Sequence, residues 1–115
     1  MDTNFPFTVS SEELGTLQVL KLQGELDVGS CIILEEALGR VRDDVEGIAV
    51  DLGQLEFIDS SGIGLLVGAN EQCLAGGKTF ALVNSQGQVR HLLELTGLAT
   101  RLQIVESLSE LKIEP

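Results

Sequence analysis

The segment from Ile48 to Ala69 constrains this chain more than any other. Ile48-Ala-Val-Asp-Leu52, behind Gly47, is a short apolar run that suits a buried strand. A loop containing Phe57 is expected next. It leads into Asp59-Ser60-Ser61-Gly62-Ile63-Gly64-Leu65-Leu66-Val67-Gly68-Ala69, which is apolar almost all round. A helix of that composition predicts burial on most of its faces. Glycines at 62, 64 and 68 lower its intrinsic propensity, so close backbone packing is expected to offset the cost. Asn70-Glu71-Gln72 is expected to return to solvent, and Gly76-Gly77 to end the helix.

The flanking sequence extends this alternation. Phe7 to Val9 and Leu17 to Leu22 read as two short strands, with Gly24-Glu25-Leu26-Asp27 closing the second. Ser10-Ser-Glu-Glu-Leu-Gly15 between them is turn-like. Ile33, Leu34, Ala37, Leu38 and Val41 form one helical stripe, with Ser30 as N-cap and Glu35, Glu36, Arg40 and Asp43 facing away. Thr79 to Val83 is a fourth strand. Val89, Leu92, Leu93 and Thr96 mark a third helix, stopped by Gly97. Leu102 to Val105 is expected to be a short edge strand, and Ser107-Leu-Ser-Glu110 a capping box opening a last helical turn or two. The order ββαβαβαβα predicts an α/β fold. Its mixed, mostly parallel sheet has about five strands, with right-handed crossovers and an antiparallel first hairpin. With 115 residues and prolines only at positions 6 and 115, a single domain is expected over 1–115, its core at about 7–113.

Charge narrows the partners. Eighteen acids against 7 lysines and arginines give a net charge of −11, which argues against a nucleic-acid surface and against docking on anionic lipid. Residues 1–60 hold 13 acids and 3 bases, so a basic protein partner meeting that half, or simply an acidic solvated face, is expected. Cys31 and Cys73 stand 42 residues apart with His91 as the sole histidine, a set that predicts no structural zinc. Both thiols are expected to be buried and free, as in a reducing cytosol. The N-terminus lacks signal-peptide character, and no apolar run approaches the roughly 18 residues of a membrane span. A soluble cytoplasmic protein is expected.

Catalytic patterns fail on spacing. Gly77-Lys78-Thr79 resembles the end of a P-loop, but Gln72 stands where the first glycine belongs, and the segment runs helix to strand. Gly62-x-Gly64-x-x-x-Gly68 misses the dinucleotide fingerprint at Val67. Ile58 and Asp59 exclude a GxSxG elbow around Ser60 or Ser61. His91, mid-helix, reads as a surface residue. The chain is therefore expected not to be an enzyme and to need no cofactor or metal. Asp59-Ser60-Ser61-Gly62 remains. Caps explain one of these residues. An exposed serine at a helix start is also a good phosphoacceptor, because the helix dipole tolerates a phosphate carrying roughly −1.5 to −2 charges.

The segment Asp51-Leu-Gly-Gln-Leu-Glu-Phe-Ile-Asp59-Ser60-Ser61-Gly62-Ile63-Gly64-Leu65-Leu66 resembles the signature of the STAS domain, as found in bacterial anti-sigma factor antagonists. Gly24-Glu-Leu-Asp27 and Val89-Arg-His-Leu-Leu-Glu-Leu-Thr-Gly97-Leu98 resemble two further signatures, in family order. The resemblance implies partner switching. The unphosphorylated antagonist binds an anti-sigma factor that is also a serine kinase and frees a sigma factor. Phosphorylation abolishes binding, and a serine phosphatase restores it. Carried across, Ser60 is the phosphoacceptor, with Asp27, Asp59, Ser61 and Gly62 at the partner surface, and Ser61 remains a candidate acceptor by chemistry. A monomer or weak dimer is expected. Other STAS contexts give the alternatives of an adaptor subunit of a phospholipid-transport ATPase complex or another signalling scaffold, and Gly62, Gly64 and the acidic loop give a third, a small-molecule or nucleotide sensor.

Overall fold

Apolar runs within Leu17–Leu26, Gly47–Ile58 and Thr79–Val83, flanked by a polar first strand and a short last one, build a five-stranded sheet whose spatial order is the sequence order. The computed structural model describes residues 7–112. Its strands are β1 (Thr8–Leu14), β2 (Leu17–Leu26), β3 (Gly47–Ile58), β4 (Thr79–Val83) and β5 (Gln103–Val105). Its helices are α1 (Cys31–Gly39), α2 (Ser60–Ala75) and α3 (Gly87–Leu95), with 3-10 turns at Leu98–Thr100 and Leu108–Glu110. β1 pairs antiparallel with β2, and the other three pairings are parallel. The expected mixed, mostly parallel α/β sheet is therefore present. Leu20, Leu22, Leu26, Leu34, Val50, Leu52, Ile58, Leu66, Leu82 and Val89 are fully buried in one cluster between sheet and helices.

Several elements differ from the sequence reading. Ser10 to Leu14 is strand, not turn, and the reversal needs only Gly15, at φ +63°, and Thr16. The polar stretch fits because β1 is an edge strand exposed along nearly all its length. β3 runs on through the expected loop to Ile58. Its register against β2 slips twice, between Lys21 and Gln23 and between Gly24 and Glu25. Those bulges insert extra residues, so Leu52, Leu55 and Ile58 all point inward at spacings that break the period of two. Gly53 sits in the first bulge, where a Cβ would collide with the Asn84 carboxamide.

α1 ends at Gly39, leaving Val41 and Asp43 outside it, and Ile33 is 40% exposed although the stripe placed it inward. Ser30 holds the N-cap position without capping. Its hydroxyl instead donates to the Glu25 carbonyl at 2.8 Å. α2 is not buried all round: Gly62, Leu66, Ala69, Asn70 and Cys73 form its buried stripe, while Leu74 is 60% exposed. Asn70, expected in solvent, is buried and donates to the Arg101 carbonyl at 3.4 Å. Close packing holds for Gly62 alone among the three glycines, since a Cβ at Gly64 or Gly68 would meet nothing within 4 Å. Cys73 is buried as expected, whereas Cys31 is only half-buried. Ser107 makes no side-chain cap. Glu110 reaches the Glu106 N–H at 3.2 Å instead, closing a single 3-10 turn rather than a helix.

Candidate functional site

Adjacent parallel strands end together, and the residues that follow them meet. Leu26 pairs with Ile58, so Asp27 and Asp59 leave neighbouring strands at the same edge of the sheet. The Asp59 N–H donates to the Leu26 carbonyl at 3.2 Å, tying the two chain segments directly. Asp59 has extended backbone and caps α2, its Oδ1 accepting from the Gly62 N–H at 3.1 Å. Ser60 and Ser61 are then the first two helical residues, and both are exposed. Gly62 turns inward. A Cβ there would lie 2.7 Å from Ile58 Cγ1 and 2.9 Å from both Leu26 Cγ and the Leu26 carbonyl oxygen. Only glycine lets α2 start this close to β2.

Asp27 has a local task. Its Oδ1 accepts from the Gly29 N–H at 3.0 Å and the Ser30 N–H at 3.1 Å, and lies 3.1 Å from the Ser30 hydroxyl, whose proton is shared with the Glu25 carbonyl. It thereby shapes the turn that starts α1. Val28 in that turn is 77% exposed, and Ile32, in the first turn of α1, is exposed as well. The two helix starts converge on an open groove of about 660 Å³ between α1 and α2, lined among others by Cys31, Glu35, Leu38, Ser61, Gly64 and Leu65. Burial pushes the Cys31 thiol up, and the carboxylates of Asp59, Glu35 and Asp27 push it further. This thiol is held neutral, the opposite of an activated nucleophile.

Sequence reasoning missed Gln88. From the start of α3, its Oε1 accepts the Ile58 N–H and its Nε2 donates to the Ile58 carbonyl, both at 3.1 Å. Ile58 immediately precedes Asp59. A lone polar residue ahead of an apolar stripe carries no signal of such a contact.

The residues set aside as non-catalytic have other partners. Lys78 donates to the carbonyls of Asp43 and, at 2.6 Å, Val45, so it clamps the segment after α1. His91 is exposed on α3. Among the described residues, no group of three or more His, Cys, Asp or Glu could hold a metal ion, and no helix is long and apolar enough to cross a membrane.

The sheet thus runs in sequence order, and two exposed serines open the helix that follows its central strand. The STAS domain model matches residues 8–111, and the chain belongs to that family. Among its relatives, an anti-sigma-B factor antagonist of Staphylococcus aureus is 33% identical over 88 residues, spanning 76% of this chain and 82% of the relative. An anti-sigma-F factor antagonist of Mycobacterium tuberculosis is 28% identical over 104 residues, or 90% of this chain and 84% of the relative. A crystal structure of an anti-sigma factor antagonist from Mycobacterium paratuberculosis superposes with a TM-score of 0.81 at 27% identity, covering 91% of this chain and 90% of that one.

Proposed function

We propose that this chain is an anti-sigma factor antagonist working by partner switching in the cytoplasm. Unmodified, it binds an anti-sigma factor that is also a serine kinase and so frees a sigma factor. Phosphorylated on Ser60, it lets go until a serine phosphatase restores it. The observation that carries this reading is the position of Ser60: exposed, first in α2, directly after a cap that does not use the serine hydroxyl. A phosphate there sits at the positive end of the helix dipole, so modification leaves the fold standing. It also adds roughly −1.5 to −2 charges beside Asp59 and Asp27, in the acidic half of the chain. A partner fitted closely to the unmodified surface would then have to bury a bulky, strongly hydrated phosphate, and the desolvation cost opposes the contact. Ser61 and Gly62 complete the contact surface, and the ATP belongs to the kinase.

The test is an affinity capture from the native host, with Ser60→Ala and Ser60→Asp chains as baits, read by mass spectrometry. An ATP-binding serine kinase is expected on the Ala bait and absent from the Asp bait. The captured kinase should then phosphorylate the parent chain on Ser60 and leave Ser60→Ala unmodified. Recovery of transporter ATPase subunits on both baits overturns the reading in favour of an adaptor. Modification of Ser60→Ala moves the acceptor to Ser61.

A further inference from the structure

β3 outruns its neighbour. Its pairing with β4 stops at Asp51 opposite Val83, while the strand itself continues to Ile58. In a parallel pair, a residue sends its N–H and C=O to the same side, and the next residue sends them to the other. The Asp59 N–H points to β2, where it meets the Leu26 carbonyl. The N–H and C=O of Ile58 therefore point toward the line of β4, which has ended seven residues earlier. The Ile58 side chain is fully buried, so these backbone groups lie at the edge of the core.

The Gln88 carboxamide fills that place. It accepts from the Ile58 N–H and donates to the Ile58 carbonyl, both at 3.1 Å, supplying from one side chain the two bonds that two residues of a longer parallel β4 would have made. The chain before Gln88 is shaped to deliver it. Asn84 and Gly87 both take positive φ, +64° and +56°, which swing the backbone from β4 into α3. The Asn84 N–H is tied to the Val105 carbonyl at 3.1 Å, its Oδ1 accepts from Gln86 Nε2 at 3.2 Å, and Ser85 is buried. A non-glycine residue held in the left-handed region is uncommon, and it persists where the surroundings enforce it. Ile58 is thus gripped on the open side by α3, and Asp59 on the other side by β2. Ser60 is the next residue.

We propose that Gln88 is the positioning residue for Ser60, holding the junction of β3 and α2 so that the serine hydroxyl is presented in one fixed geometry to the kinase. This rests on the reading of Ser60 as phosphoacceptor. In the transfer, Ser60 Oγ forms the bond to the γ-phosphorus of the kinase's ATP. ADP departs with the electron pair of the broken P–O bond, and the hydroxyl proton passes to a base on the kinase. Catalysis of that step depends chiefly on alignment of the attacking oxygen, and a displacement of about 1 Å can cost on the order of a hundredfold in rate.

The experiment compares the parent chain with Gln88→Ala, Gln88→Glu and, as a control at another exposed position of α3, Arg90→Ala. Gln88→Glu nearly preserves size and keeps an acceptor for the Ile58 N–H, but sets a carboxylate oxygen against the Ile58 carbonyl. Each chain is measured for residue-resolved amide exchange and for steady-state phosphorylation of Ser60 by the serine kinase captured on the Ser60→Ala bait. Both Gln88 variants are expected to speed exchange at Ile58 and Asp59 by about tenfold or more, while Val50 and Leu82 keep their protection. In both, kcat should fall roughly ten- to a hundredfold with KM unchanged, the pattern of lost alignment rather than lost binding. Arg90→Ala should match the parent in both assays. Fast exchange at Ile58 with unchanged kcat makes the clamp purely structural and overturns the proposal, as does unchanged exchange. A rise in KM alone, or loss of protection throughout the sheet, overturns it too. Absence of Ser60 phosphate in the parent chain instead removes the reading on which the proposal rests, and the two failures are told apart by which chain shows them.

Discussion

Gly62→Ala puts a methyl group where the structure has no room for one. The added carbon would lie 2.7 Å from Ile58 Cγ1 and 2.9 Å from Leu26 Cγ and the Leu26 carbonyl oxygen. The side chains have nowhere to rotate, because Leu26 and Ile58 are both fully buried. The carbonyl is backbone, and it already accepts from the Asp59 N–H. Overpacking of this kind costs about 1–3 kcal/mol, and three close approaches including backbone place it at about 2–3. Alanine recovers at most about 1 kcal/mol of helix propensity, less in a first turn. The net loss is about 1–3 kcal/mol, which lowers Tm by roughly 4–12 °C in a domain of this size. Gly64→Ala and Gly68→Ala serve as internal controls, since neither added carbon meets anything within 4 Å. They should be neutral or stabilising by up to about 1 kcal/mol. Urea denaturation of the three variants beside the parent, at constant m-value, decides the matter. A Gly62→Ala chain as stable as the parent, or a Gly64→Ala chain that loses more, refutes the claim that α2 is seated on β2 through this one glycine.

Asp59→Ala should lose about 1 kcal/mol, the worth of an N-cap, while Asp59→Asn keeps the acceptor for the Gly62 N–H and stays close to the parent in urea denaturation. Asp27→Ala removes an oxygen that serves two backbone N–H donors and should cost about 1–2 kcal/mol, whereas Asp27→Asn, retaining Oδ1, should change the denaturation midpoint little; equal losses would refute the turn geometry. Alkylation of Cys31 at about pH 8, near the free-thiol value, should be slower than for an unstructured cysteine. Asp59→Asn should speed it only partly, because burial, the larger cause of the raised pKa, remains. A thiol whose pKa is raised on folding keeps its proton where the unfolded chain has begun to lose it. Its contribution to stability is therefore complete below the unfolded pKa and is lost as pH rises through the folded value. Cys31→Ser should accordingly make the alkaline decline in stability shallower, as read from denaturation across the alkaline range.

Much of the fold was legible because local pattern and tertiary demand agree. Thr79–Val83 is a strand to the residue, since all five positions are buried and nothing interrupts them. α3 and its stop are where the stripe and Gly97, at φ +68°, put them. Asp59, Ser60, Ser61 and Gly62 stood out as a helix start whose residues exceed what a cap requires. The misses share a cause. The end of β3 read as a loop because two bulges shift the inward residues off the period of two, and only the register against β2 shows that Leu55 and Ile58 still face the core. Gly64 and Gly68 looked like packing glycines, but whether a glycine lies under a neighbour or beside a groove depends on where α1 comes to rest. Asn70 read as solvent-facing because its partner, the Arg101 carbonyl, is 31 residues away.

The sequence by itself determined the order of strands and helices, the mixed sheet, and the serine that opens the second helix. Each of these follows from neighbours along the chain: apolar periodicity, caps and glycines act within a few residues. Only the tertiary structure decided how Ser60 is held. The grip comes from Leu26 on one strand and Gln88 on a distant helix, and a hydrogen bond between residues 30 apart leaves no local trace.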